Sequence, residues 1–287
     1  MLNNHESIMI NLERKPNYQS AKVTKARIIN STLLFIFSFV VITFLQDFFL
    51  FIFSTAYGAK PSWYYYGVEM SLGFKTKKYF IPFFAGSFLS VILGGVSLFI
   101  YKKRKLFSDF ANIIWLWLSV FGISVFLSQL LYLNIDIDED FGAIYKNMSW
   151  GSNFLVFSNL FVVFVAMIVG IIFSVNLIRL ANTKKTIGSS RSRRQFVVYY
   201  ALAPWFIGSL VSYFYYYPQI SSYKAIILFV VLFEIIIAWL FASSGALKKA
   251  VIIRYASSEK IYAYPIMIII FVYLLFHAFF IKGISFS

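Results

Sequence analysis

Seven apolar stretches cross the chain, at residues 29–54, 80–101, 110–132, 153–177, 196–217, 225–246 and 261–281. A helix needs about 20 apolar residues to cross the roughly 30 Å hydrocarbon core of a bilayer, and each stretch reaches or approaches that length. The solvent is therefore fixed first. In hydrocarbon a lone segment must satisfy its own backbone polar groups, and only a helix does so. The spacing predicts an all-α fold, a polytopic transmembrane helical bundle of about seven spans. Residues 1–28 read as a polar amino-terminal segment and residues 29–287 as a single transmembrane domain. Composition agrees: 60% of residues are hydrophobic and 13% charged, about half the charged share usual for a soluble domain.

The basic residues orient the chain. With the amino end placed in the cytoplasm, 19 of the 26 Lys and Arg fall on the cytoplasmic side. They cluster at Arg14–Arg27, Lys102–Lys105, Arg179–Arg194 and Lys248–Lys260. The bias lies in short links, where the positive-inside rule operates best, so the amino end is expected inside and the carboxyl end outside. A net charge of +15 could signal nucleic acid. Its confinement to links between spans points instead to anionic headgroups, and no nucleic-acid partner is expected. The link 182–195 is read as a short, flexible cationic tether whose charge pins two spans to the inner leaflet. It could also dock an acidic cytoplasmic partner. The stretch before Ile28 lacks the apolar core and small-residue cleavage site of a removable signal, so the first span is expected to serve as the insertion signal. The bilayer in question is the cell membrane, or an endomembrane in a eukaryote.

Between the first two spans, Ser62-Trp63-Tyr64-Tyr65-Tyr66 places amphipathic rings at headgroup level, as an interfacial segment or a lid. The outer link at Asp136, Asp138, Glu139 and Asp140 is oxygen-rich but lacks the Gly turn and late Glu of a calcium loop. Asn147-Met148-Ser149 fits a glycosylation acceptor.

Within the spans, small residues recur four apart and so share a helical face: Gly86, Ser90 and Gly94; Ala166, Gly170 and Ser174; Gly208 and Ser212; Ala238, Ala242 and Ala246. Such faces let helices approach closely where lipid supplies no hydrophobic drive. Pro204 removes a backbone donor and should kink or loosen the fifth span. Glu234 stands near the middle of the sixth span, where an acid is expensive and faces the bundle interior or a wet cavity. Asp47, Gln46, Gln129, Asn159 and His277 all count into the outer half, where they could form one polar pocket with Asp47–His277 as its charged pair.

Enzyme signatures are poor. The chain has no cysteine and two histidines, which excludes thiolate chemistry and Cys- or His-rich metal sites. Gly122-x-Ser124 with His277 faintly resembles an intramembrane serine protease, but a nucleophile also requires an assembled base and oxyanion site. No Gly-rich phosphate loop follows a strand. No catalytic residue, metal or cofactor is expected.

The carboxyl-terminal third carries Tyr199-Tyr200-Ala201-Leu202-Ala203-Pro204 after a basic flank, then a span with Trp239 ending in Gly245-Ala246-Leu247-Lys248-Lys249. Ser257-Ser258-Glu259-Lys260 and a last span follow. This order, over about 90 residues, resembles the Yip family of Rab-interacting membrane proteins and their prokaryotic relatives. It departs from a five-span Yip domain in having two more spans and the aromatic outer link. The resemblance implies a non-enzymatic role in membrane organisation, trafficking or complex scaffolding, with membrane or cytoplasmic protein partners. The alternative is a small transporter or permease subunit using Glu234 and the outer polar cluster.

Topology is directly testable. Reporter fusions after Lys105, Gln195 and Lys249 are expected to read cytoplasm, and fusions after Lys146 and Ser287 the opposite face. A cytoplasmic carboxyl end would contradict an odd number of spans.

Overall fold

The computed structural model describes residues 18–69, 80–103, 109–135, 152–181, 188–217 and 222–249, with scattered positions between 264 and 285. Its helices are α1 (Tyr18–Ala56), α2 (Phe80–Lys103), α3 (Asp109–Ile135), α4 (Ser152–Arg179), α5 (Ser190–Val197), α6 (Ala203–Tyr216) and α7 (Ser222–Phe241). α5 and α6 are joined into one rod by a π-helical turn, Val198–Leu202. Among the described residues, six helices are long and apolar enough to cross a membrane. Tyr264, Ile268, Phe271, Leu275 and Phe279 are also helical and exposed, spaced as one face of the seventh stretch. The acidic link at 136–140, the Asn147 triplet and His277 lie outside the described residues.

Burial is inverted relative to a soluble protein. Phe157, Phe164 and Phe214 are 60–70% exposed, whereas Ser38, Ser87, Ser124, Ser128, Ser174 and Ser212 are fully buried. Large apolar side chains face outward all round the bundle and hydroxyls face in. Water would penalise such a continuous apolar exterior, so the distribution fits an integral membrane protein.

The small-residue faces form the predicted seams. A Cβ on Gly122 of α3 would lie 2.5 Å from the Ser90 carbonyl oxygen and 2.6 Å from the Gly94 Cα of α2. A Cβ on Gly170 of α4 would lie 2.6 Å from the Glu234 carbonyl oxygen of α7. On the same α4 face, Ser174 Oγ donates to the Ala238 carbonyl at 2.9 Å, so the small stripes of α4 and α7 pack on each other. Gly208 of α6 makes room for Phe35, which meets Trp117 and Phe121 edge-on at 5.0 and 4.9 Å. These aromatics anchor the core of α1, α3 and α4, with Phe173 against Trp117.

Pro204 acts as its chemistry dictates. It lacks the N–H that would bond the Tyr200 carbonyl four residues back. The ladder widens just before it, and the Ala203 N–H bonds Val198 instead, five residues back. The Tyr200 carbonyl then accepts from Ser31 Oγ of α1 at 2.7 Å. Trp117 Nε1 of α3 donates to the same hydroxyl at 3.1 Å. A proline vacancy thereby becomes a three-helix junction.

Two departures from sequence expectation lie at the helix ends. α1 begins at Tyr18, inside the segment read as a polar preface, because the span's ladder simply continues through those polar residues. The supposed flexible tether is ordered from Gly188 onward. Ser189 caps α5, its hydroxyl accepting from the Ser192 N–H at 3.0 Å, as an N-cap serine does. Arg193 is fully buried and donates through Nε to Ala242 O at 2.7 Å and through Nη2 to Ser244 O at 3.1 Å. These carbonyls close the α7 end, where a cation also suits the negative dipole terminus. Arg193 is thus a helix cap, whereas its neighbour Arg194 stacks on Trp239 at 4.7 Å.

At the opposite end, β1 (Ser62–Tyr64) and β2 (Gly67–Glu69) form a hairpin through Tyr65-Tyr66. β3 (Ile284–Ser285) adds to its free edge, giving an antiparallel sheet of order β2-β1-β3. Gly283 enters β3 at φ 73°, and a Cβ there would strike the Tyr64 ring; only glycine fits. The loop after α1 and the carboxyl-terminal strand therefore share one face of the bundle.

Substituting Gly122 by Leu should lower unfolding stability in detergent by about 1–3 kcal/mol through overpacking at the α2–α3 seam. Gly95→Leu, where a Cβ meets nothing within 4 Å, is the control and should be near neutral.

Candidate functional site

The buried polar groups lie at successive depths, starting under the hairpin and descending along α7. The outermost is an ion pair. Lys224, in the first turn of α7 and 3% exposed, lies 3.2 Å from the Asp47 carboxylate of α1. Lys224 falls just before the sixth apolar stretch, and so reads from sequence as part of an outer link; at a helix amino terminus a cation opposes the dipole. Three groups offset that cost: Asp47, the Tyr66 carbonyl at 2.6 Å, and the Tyr216 ring 4.4 Å from Nζ. The described partner of Asp47 is Lys224; the expected partner His277 lies outside the described residues.

The hairpin covers this pair. Trp63 is buried and packs on Phe44 and Phe280 at ring distances of 5.2 and 4.6 Å. Tyr64 and Tyr66 stack face to face at 5.1 Å, and the Tyr66 hydroxyl donates to Glu69 at 2.7 Å. Desolvation, reinforced by the Glu69 carboxylate, pushes the Tyr66 pKa up, which keeps its hydroxyl a donor. The aromatic run is therefore a folded hairpin packed over the pair. Beneath it, Phe44 and Asp47 of α1, Trp63 and Tyr65 of the hairpin, Tyr215 of α6 and Lys224 line a small open cleft of about 20 Å³, room for one or two waters.

Below the pair lies an amide and hydroxyl layer. Gln46 Nε2 reaches Gln129 Oε1 of α3 at 3.5 Å, and Ser87 Oγ of α2 donates to the same oxygen at 3.3 Å. Tyr223 of α7 donates to the Val125 carbonyl at 2.8 Å. Deeper still is Glu234, about 15 Å along α7 from Lys224 at 1.5 Å per residue. It is fully buried, and Ser124 Oγ donates to its Oε2 at 2.9 Å. Its Oε1 has no hydrogen-bond partner among the described residues.

The structure thus pairs Asp47 with Lys224 and Gln46 with Gln129, and sets Glu234 deeper along α7 against Ser124. Asn159 is half-buried on α4 and does not line the cleft. Ser124, the nucleophile of the faint protease reading, is occupied with Glu234 and with the Val120 carbonyl at 2.8 Å. No group of three or more metal-ligating side chains occurs among the described residues. Lys224 and Arg193 escaped sequence reasoning because cations beside span ends look like headgroup anchors. The one available hint for Lys224 was a lone lysine directly preceding an apolar run that contains an acid.

Removing one member of a buried pair leaves an uncompensated charge. Asp47→Asn is expected to destabilise the protein by about 3–5 kcal/mol. The Asp47→Asn, Lys224→Gln double variant should lose less than the sum of the singles, by about 1–3 kcal/mol, measured by reversible unfolding in detergent.

No protein-family model matches the chain, and no curated protein or solved structure is significantly similar to it.

Proposed function

We propose that this chain is a non-enzymatic multi-pass membrane protein, a small transporter or permease component, in which Glu234 takes up and releases a proton or small cation. The observation that carries this reading is the Oε1 of Glu234, unpartnered among the described residues, at mid-span depth. Hydroxyls and amides fasten helices elsewhere in this bundle without the desolvation cost of a carboxyl, so fastening alone gives no reason for an acid at this depth. Acids kept at such depth commonly mark ion or proton pathways. The proposed orientation has the amino end in the cytoplasm and seven spans. The basic-residue bias supports it, and so does the β1–β3 pairing, which puts the carboxyl-terminal strand on the face reached after one crossing.

A second reading, the membrane-organising scaffold implied by the Yip resemblance, draws support from α5. Its arginines are held in fixed helical geometry, with Arg191 exposed and Arg194 braced on Trp239, which offers an ordered cationic surface to an acidic partner.

A hydrophobic carbodiimide separates the two. It reacts with protonated carboxyls in apolar surroundings, so it should modify Glu234 in purified protein, faster at lower pH. Glu234→Gln should abolish the modification and cut protein-dependent proton movement in liposomes at least tenfold. If Glu234 is not modified and the Gln variant moves protons like wild type, the transport reading fails and the scaffold stands.

A further inference from the structure

At the end of the bundle opposite the hairpin, Arg193 is consumed in closing α7, but two other arginines of α5 are not. Arg191 is exposed and Arg194 half-buried. Residues three apart on a helix are neighbours, with Cβ atoms about 5–6 Å apart, so the two side chains rise from one face, flanked by exposed Gln195. The Arg194 guanidinium lies 4.7 Å from the Trp239 ring centroid, and its Nε has no hydrogen-bond partner among the described residues. Stacking fixes the plane of a guanidinium without neutralising it, which leaves a pre-organised fork for the oxygens of an anion. Arg191 stands in the first turn of α5, where the helix dipole favours an anion as well.

The surroundings select the kind of anion. Trp239 belongs to the last turn of α7, and tryptophan at a span end sits at headgroup level. Ile236 and Leu240 of the same turns are exposed, part of the apolar exterior of the bundle. Charge and lipid-facing surface therefore meet at one ring. A soluble anion or an acidic protein segment would use the arginines and leave the apolar strip idle, whereas a phospholipid uses both. We infer that Arg191, Arg194 and Trp239 form a site for one anionic phospholipid, its phosphate on the two guanidiniums and an acyl chain along Ile236 and Leu240. Basic links attract anionic headgroups diffusely; this site is single and saturable, and it belongs to named residues. Its occupant touches both α5 and α7, so binding adds a second clasp beside the Arg193 cap and stabilises the folded chain. Proton handling at Glu234 is read by a different measurement, and either can fail without the other.

The test is native mass spectrometry of the purified, delipidated full-length chain, titrated with phosphatidylglycerol or with phosphatidylcholine of the same chain length. Ammonium acetate at about 0.5 M screens exposed charges beyond roughly 5 Å and so suppresses diffuse attraction. One phosphatidylglycerol is expected to bind at least tenfold more tightly than phosphatidylcholine and to raise the melting temperature. Arg194→Gln and Trp239→Leu should each weaken it at least fivefold. Arg191→Gln, a change at an exposed side chain, should weaken it too and carries the test if Trp239→Leu does not fold. Lys102→Gln, which removes an exposed cation at the same end, should leave the affinity unchanged. Absence of a preference for phosphatidylglycerol overturns the inference, as does an equal loss in Lys102→Gln and Arg194→Gln. Displacement of the lipid by an equal concentration of inorganic phosphate would make the ligand a free anion and overturn it. Arginine-dependent binding of a polyglutamate peptide without any lipid preference would assign the surface to an acidic protein and overturn it equally.

Discussion

A carbonyl, amide or carboxyl in hydrocarbon has no water to turn to, and each one left alone costs on the order of a few kcal/mol. Most of this bundle's specific geometry answers that constraint. Pro204 opens a gap at Tyr200, and Ser31 and Trp117 close it from two other helices. α7 ends with exposed carbonyls, and Arg193 folds back to satisfy them. Tyr101 of α2 donates to the Asn176 carbonyl of α4 at 2.7 Å, and Trp205 of α6 to the Leu228 carbonyl of α7 at 2.9 Å. Apolar packing cannot choose a helix register by itself, because lipid tails offer nearly the same contact. Directional bonds between side chains and neighbouring backbones supply that choice.

Against this background Glu234 stands out. Buried hydroxyls such as Ser38, Ser54 and Ser212 also have no hydrogen-bond partner among the described residues, but the carboxyl that leaves Oε1 unbonded is a far costlier group to bury. Gly170 brings the α4 backbone close to the same turn of α7, so bulk is withheld where the acid sits. Tight backbone approach and an incompletely bonded acid at one level are a strained combination for pure architecture.

Secondary structure and seams were legible in the sequence because both rest on periodicity: runs of about 20 apolar residues, and small residues every fourth position. Gly94 and Gly170 could be read as contact points from spacing alone, and both meet a neighbouring helix backbone; Gly122, opposite Gly94, lies in no such repeat. Tertiary pairing was not legible. Asp47 was visible as a buried acid, but its partner sat at a span boundary, where lysine is ordinarily a headgroup anchor. Counting along helices gives height and says nothing about azimuth, so depth alone could not single out Lys224. Arg193 was hidden for a related reason, as one cation among several in a basic link, distinguished only by which carbonyls end nearby. The hairpin was half visible: the aromatic run announced itself, whereas its strand partner at Ile284 is too short to leave a signal.

That strand partner has a consequence for how the molecule is made. Trp63 and Ile284 are adjacent in the sheet though about 220 residues apart in sequence, a separation that delays contact formation. During synthesis the hairpin is in place long before the residues that complete it have left the ribosome. Until then β1 has an open edge, and Trp63 lacks Phe280, one of the rings that bury it. The cover over the Asp47–Lys224 pair is finished by residues made well after the described helices, so the charged cleft closes late.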